Sequence, residues 1–342
     1  MARETGRVGP TVVALDGVLV AIVQCTASPS DVLAFLQALV ASAVELPPAL
    51  SALRVLLTTP RDRKLAHLWP RVHLLSIADD EIHLVATAVS LFSSIGIDGT
   101  SRMDRWPTSN KAVGFFTDPF CAFIAPWAFK VHTLRFVHSD PAAYPSDFYE
   151  LLGMCTNLKK ATLACNWMAL AAITTSAHQV RDLSLVNTGV KVDGPRFDWT
   201  RSLDPWLESA QTKRLRLSSF PSTDNLGLAR VLATTRTLTH LHLDDANDLI
   251  RGFLANRLPL RYLTHLWLFA CHDLVLADMT ALLDPAVIQS IRFQSYCLEE
   301  MTGFLTALPL LTRLSVVEIA GVALGGDHTA PLPTTKTLRA AQ

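Results

Sequence analysis

Through the second half of the chain, apolar and polar positions alternate in short bursts that return at a near-constant interval. Leu238-Thr-His-Leu241-His-Leu243 recurs as Leu263-Thr-His-Leu266-Trp-Leu268, 25 residues further on. Written as L-x-x-L-x-L, the template places its fourth position at Leu134, Ala161, Leu183, Leu215, Leu241, Leu266, Ile291, Leu314 and Leu338, at intervals of 22 to 32 residues. Such a period marks stacked repeats, each covering its neighbour's apolar face. Within each L-x-L stretch alternate side chains turn inward while the intervening ones face out, which is the period of a strand. Between these strands, 226–233 and 301–308 place apolar groups three and four residues apart, as helices packed on one side of a sheet require. The pattern predicts an α/β solenoid with a parallel sheet on its concave side and helices on its convex side. The longest interval contains Val192-Asp-Gly-Pro195 and Trp199 and predicts an inserted loop.

Before residue 129 the template weakens. Val72-x-x-Leu75-x-Ile77, Phe92-x-x-Ile95-x-Ile97 and Val113-x-Phe115 are expected to continue the sheet as short irregular units. The repeats are therefore placed over 65–342, best defined from 129. At the far end Thr335-Lys-Thr-Leu338 starts another strand, expected either to close the sheet or to mark a shortened array. Residues 12–58 have no strand period and predict helices instead. Val12–Val23 reads as one amphipathic helix, Ser28-Pro-Ser30-Asp31 caps a second carrying Val32, Leu33, Phe35, Leu36 and Leu39, and Pro47-Pro48 precedes a third with Leu50, Leu53, Leu56 and Leu57.

On these residues the repeats resemble the leucine-rich-repeat family, closest to its cysteine-containing or ribonuclease-inhibitor-like variants. The resemblance covers about 129–342. Asn166 and Cys271 stand at the ninth repeat position, where polar ladders satisfy buried amides, while Thr188, Phe220 and Ile319 interrupt that ladder. The segment 12–58 resembles the F-box: a leucine-rich first helix, a Ser-Pro-Ser-Asp turn and a second apolar helix. It departs from that pattern at Asp16, where proline usually follows the first leucine, and lacks the valine–basic–tryptophan ending. F-box modules dock a Skp-type adaptor, so the resemblance implies an adaptor-binding set of Leu15, Val18, Leu19, Ile22, Pro29, Leu33 and Leu36. It implies a protein–protein interaction module, the substrate-recognition subunit of a cullin-type (SCF-like) ubiquitin ligase, with transfer chemistry left to other subunits. The alternative is a stand-alone repeat scaffold or inhibitor whose N-terminal helices only cap the solenoid.

The outward positions of the strands share one face, so they decide what the repeats can bind. Arg214, Arg216, His240, His242, Asp244, His265, Trp267, Phe269 and Arg292 are expected to gather over four adjacent strands as a partner-binding patch for a protein target. Arg and Trp are the types enriched where interfaces carry their energy. The competing reading is an ordinary solvated face whose aromatics rest on their neighbours. His240 and His265 on adjacent strands also raise a metal reading, but no second shell is visible to orient them and none is expected.

Composition narrows the classes further. Half of the 342 residues are apolar, and 30 basic residues balance 30 acidic ones, so no global field draws nucleic acid or an anionic membrane. Six scattered cysteines form no CxxC pair and read as free thiols of a reducing compartment. The apolar run Val18–Val23 is too short for a secretory leader, and an intracellular location, cytoplasmic or nuclear, is expected. No phosphate-loop, dinucleotide, zinc-protease or nucleophile-elbow motif is present. Asp79-Asp80-Glu81 and the glycine-rich 321–326 read as turns. An enzyme is not expected, nor is a cofactor.

Overall fold

The computed structural model describes residues 12–59, 68–74, 77–98, 119–137, 146–187, 199–220, 224–270, 276–294, 304–320 and 336–339. The chain divides into two compact units, Met1–Thr133 and Leu134–Gln342. The first begins with three helices, α1 (Val12–Cys25), α2 (Pro29–Ala41) and α3 (Pro48–Thr58). Ser28 caps α2 as the sequence predicts, its hydroxyl accepting from the Asp31 amide at 3.3 Å; caps of this kind contribute about 1 kcal/mol. On α3 the three- and four-residue spacing of Leu50, Leu53, Leu56 and Leu57 makes one buried stripe.

These helices are built into the elements that follow. β1 (Arg71–His73), α4 (Ile82–Ala88), β2 (Ser94–Asp98) and α5 (Pro119–Ile124) complete the first unit. α3 packs on both α2 and α4. The buried Trp69 donates its indole N–H to the Thr26 carbonyl at 2.7 Å, and Gln24 donates to Ser90 at 3.3 Å. The ammonium of Lys130 donates to the carbonyls of Ser90 at 2.8 Å and Phe92 at 2.9 Å, and burial lowers its pKa. β1 and β2 pair in parallel with Val72 opposite Ile95. The first unit's repeat register thus runs through Val72, three residues earlier than the expected Leu75, which lies outside the described residues. Val113-x-Phe115 lies outside them too.

β3 (Val131–Phe136) carries the chain from one unit to the next. In the second unit strand and helix alternate: α6 (Ser146–Met154), β4 (Lys160–Ala164), α7 (Trp167–Ile173), β5 (Asp182–Val186), α8 (Trp199–Leu207), β6 (Arg214–Ser218), α9 (Asn225–Thr234), β7 (His240–Asp244), α10 (Asn247–Ala255), β8 (His265–Phe269), α11 (Leu276–Ala281), β9 (Ser290–Gln294) and β10 (Val316–Ala320). From β4 to β10 each strand pairs in parallel with the next. This is the parallel α/β repeat that the leucine spacing predicts. Leu183, Leu215, Leu241, Leu266 and Ile291 align across it and are buried, as are Leu185, Leu217, Leu243, Leu268 and Phe293. Burying each leucine contributes about 2 kcal/mol. Consecutive helices α6 to α10 pack side by side. The loop expected at Val192–Pro195 falls outside the described residues.

At the end of the array one expectation is corrected and the other, a further strand at Leu338, is met with a change of direction. Val317, rather than Leu314, pairs with Ile291, so β10 lies three residues further along than the template placed it. The last strand, β11 (Lys336–Arg339), runs antiparallel to β10 with Leu338 opposite Val317. It therefore does not continue the parallel repeat.

The turn after each central strand repeats as well. Ser219, Asp245 and Ala270 have φ of 46°, 50° and 47°, and their amides donate to Asp244, Phe269 and Gln294 on the next strand. Asn166, the expected ladder residue, caps α7 by accepting from the amides of Met168 and Ala169, and donates to the Tyr149 hydroxyl. Cys271 lies outside the described residues. Among them Cys25, Cys121, Cys155 and Cys165 are free thiols, and burial pushes Cys155 and Cys165 up to about 12. No helix among the described residues is long and apolar enough to cross a membrane.

Candidate functional site

Because leucines and isoleucines of β4–β9 take the inward positions, the alternate residues form rows across the other face. One row runs Lys160, Asp182, Arg214, His240, His265, Ser290; the next runs Thr162, Ser184, Arg216, His242, Trp267, Arg292, Glu318. All of these except Glu318 line an open depression of about 500 Å³. Of the nine residues expected in the patch, Arg214, Arg216, His240, His242, His265, Trp267 and Arg292 line it. Asp244 and Phe269 pair with one another one row further along, beyond the lining.

The rings in these rows stand upright. His240 and His265 stack with centroids 4.0 Å apart and planes 7° from parallel; His242 and Trp267 stack at 4.5 Å and 17°. Strands lie about 4.8 Å apart, so rings this close and this parallel face each other across neighbouring strands and turn their edges outward. The Arg292 guanidinium closes the second stack, 4.6 Å from the Trp267 centroid. Trp267 remains 37% exposed. The indole edge carries the positive part of its ring's quadrupole, so the second row offers a positive edge beside the Arg292 guanidinium.

Hydrogen bonds set the imidazoles. Thr239 donates its hydroxyl proton to the Lys213 carbonyl and lies 2.8 Å from Nδ1 of His240; Thr264 repeats this with the Thr239 carbonyl and His265. Each threonine hydroxyl thus fixes its imidazole through Nδ1. Both imidazoles are neutral at physiological pH. Burial, then His265 and Arg214, hold His240 down at about 4; burial, then Arg216, hold His242 at about 4 against the opposing pull of Asp244. His265 is lowered by burial, Arg214 and Arg292. Nε2 of His242 is covered and has no hydrogen-bond partner.

Each arginine meets a carboxylate: Arg214 lies 3.9 Å from Asp182, Arg216 3.2 Å from Asp244 and Arg292 3.1 Å from Glu318. Asp244 also accepts from Ser218 at 2.7 Å, which places it as the brace behind Arg216. Lys160 and Asp182 stand at outward strand positions the pattern marks but outside the expected patch, while Glu318, Thr239 and Thr264 were not expected there. The two threonines had a signal, since Thr precedes His in both copies of the repeated motif. Glu318 was hidden by the misplaced β10 register. Among the described residues, no three His, Cys, Asp or Glu side chains are grouped to hold a metal ion.

The residues expected to bind an adaptor divide sharply. Leu15, Val18 and Ile22 are exposed and fall at i, i+3 and i+7 on one stripe of α1. Pro29 and Leu33 are half-buried. Leu19 and Leu36 are buried in the core of the first unit, so they hold the helices together and offer no contact surface. No protein-family model matches the chain, and no curated protein matches it either.

Proposed function

We propose that this chain is a non-enzymatic interaction protein that joins two partners, in the manner of a leucine-rich-repeat substrate receptor of a cullin-type ubiquitin ligase. The open face of β5–β9 holds a protein target, and the apolar stripe of α1 holds a Skp-type adaptor. The observation that carries the reading is the row Arg216–His242–Trp267–Arg292, whose half-exposed tryptophan is held upright between stacked groups over an open depression. A rigid aromatic flanked by guanidiniums suits an interface better than a solvated surface, because its side-chain entropy is already spent. The stripe of Leu15, Val18 and Ile22 supports the second partner, since an exposed row of three apolar groups on one helix is costly unless covered.

A second reading, a stand-alone scaffold whose helices only cap the repeats, draws on the way α3 packs on α4 and Trp69 bonds to Thr26. Calorimetric titration of a purified Skp-type adaptor into the chain separates the two. The ligase reading expects stoichiometric binding that Leu15→Asp with Ile22→Asp abolishes at unchanged melting temperature. Absence of binding to the folded wild type leaves the scaffold.

A further inference from the structure

The geometry points to an acidic, extended peptide segment of the target as the ligand of the β5–β9 face, with carboxylates four residues apart seated on Arg216 and Arg292. This rests on the reading of that face as a partner-binding surface and names the chemistry of the partner. The first support is charge. The depression is lined by Lys160, Arg214, Arg216 and Arg292 against Asp182 alone, its histidines neutral. Asp182, Asp244 and Glu318 hold the arginines from the side, and each guanidinium has five N–H donors, so each keeps donors for a second carboxylate.

The second support is spacing. Arg216 and Arg292 are separated by three strand steps, through His242 and Trp267. At about 4.8 Å per step this is about 14 Å, while an extended chain advances about 13 Å over four residues. The residues between the two carboxylates then lie over the Trp267 edge, where an apolar side chain is favoured. The three lateral carboxylates also oppose a polyanion more than they oppose two spaced charges.

The test uses the full chain and three fluorescein-labelled peptides with a common Ala-Phe-Ala centre, flanked by Glu on both sides, by Gln or by Lys. Fluorescence anisotropy should show the Glu peptide binding at least about tenfold more tightly than the others, with affinity falling as salt rises. Arg216→Gln with Arg292→Gln should remove that preference. Should this variant fold poorly, oxidative footprinting of the wild type gives the same answer, since the Glu peptide should protect Trp267. Equal binding of the Gln peptide, no protection of Trp267, or tighter binding of a single-stranded oligonucleotide overturns the inference. Failure here with intact adaptor capture leaves the ligase reading standing. Peptide binding without adaptor capture overturns the ligase reading and keeps this one.

Discussion

The two candidate surfaces are built on opposite principles. The face of β5–β9 is polar and interlocked: Thr239 and Thr264 orient two imidazoles, Asp244 braces Arg216, and Trp267 is clamped between His242 and Arg292. The stripe of α1 is apolar and bare, three side chains standing on a helix whose other side supplies Leu19 and Val23 to the core. Preorganised polar groups discriminate between partners by position and charge. A bare aliphatic stripe contributes affinity through area and little discrimination. A surface that selects targets and a surface that holds one constant subunit would differ in this direction.

Substitutions break that comparison at different strengths. The largest effect is expected from Leu19→Asp, which puts a charge among packed side chains. It should destabilise the first unit by about 3–5 kcal/mol in chemical denaturation. Leu15→Asp, one turn away and exposed, should leave stability within about 0.5 kcal/mol and still disrupt adaptor binding. A difference that small between the two variants would mean that the helix does not pack as described. Trp267→Ala should weaken target or peptide binding by about 2 kcal/mol, close to thirtyfold. It should cost the free chain only about 1 kcal/mol, the worth of its stacking and cation–π contacts.

Protonation separates the surfaces differently. His240 and His242 titrate at about 4 in the folded chain, against about 6.5 in the unfolded one. Between these values the unfolded chain binds more protons, so this contribution to stability is complete above about pH 6.5 and declines as pH falls toward 4. A series of melting temperatures should show that decline, and His242→Gln should flatten it. The α1 stripe has no such group, and binding there should keep its affinity across the same range. The smallest effect is expected from Ala270→Gly, which relieves a left-handed residue in the turn after β8 and should raise stability by about 0.5 kcal/mol.

The same contrast governs what could be read from the residues alone. The parallel repeat and its inward rows were legible wherever leucines recur without competition, as in the twin motifs ending at Leu243 and Leu268. At the flanks the template fits twice. Leu311-x-x-Leu314-x-Val316 satisfies it, and so does Leu314-x-x-Val317-x-Ile319 three residues later. The chain takes the second because β-branched Val and Ile suit the strand. Val72 and Leu75 pose the same choice in the first unit, where Trp69-x-x-Val72-x-Leu74 prevails. The patch residues were legible because strand alternation is local. Their stacking, the threonine bonds and the carboxylate from β10 depend on register between strands, which the pattern of one strand does not contain. On α1, apolarity marked a helix but not which leucines face the core, since Leu15, Val18, Leu19, Ile22 and Val23 are chemically alike.

The most direct test of a chain with two separate partner surfaces is a three-component measurement: the labelled Glu-flanked peptide titrated into the chain, alone and saturated with a Skp-type adaptor. The account predicts the same peptide affinity in both states, lost with Trp267→Ala in each while adaptor binding persists. Peptide affinity abolished by the adaptor, or adaptor binding lost with Trp267→Ala, would contradict it.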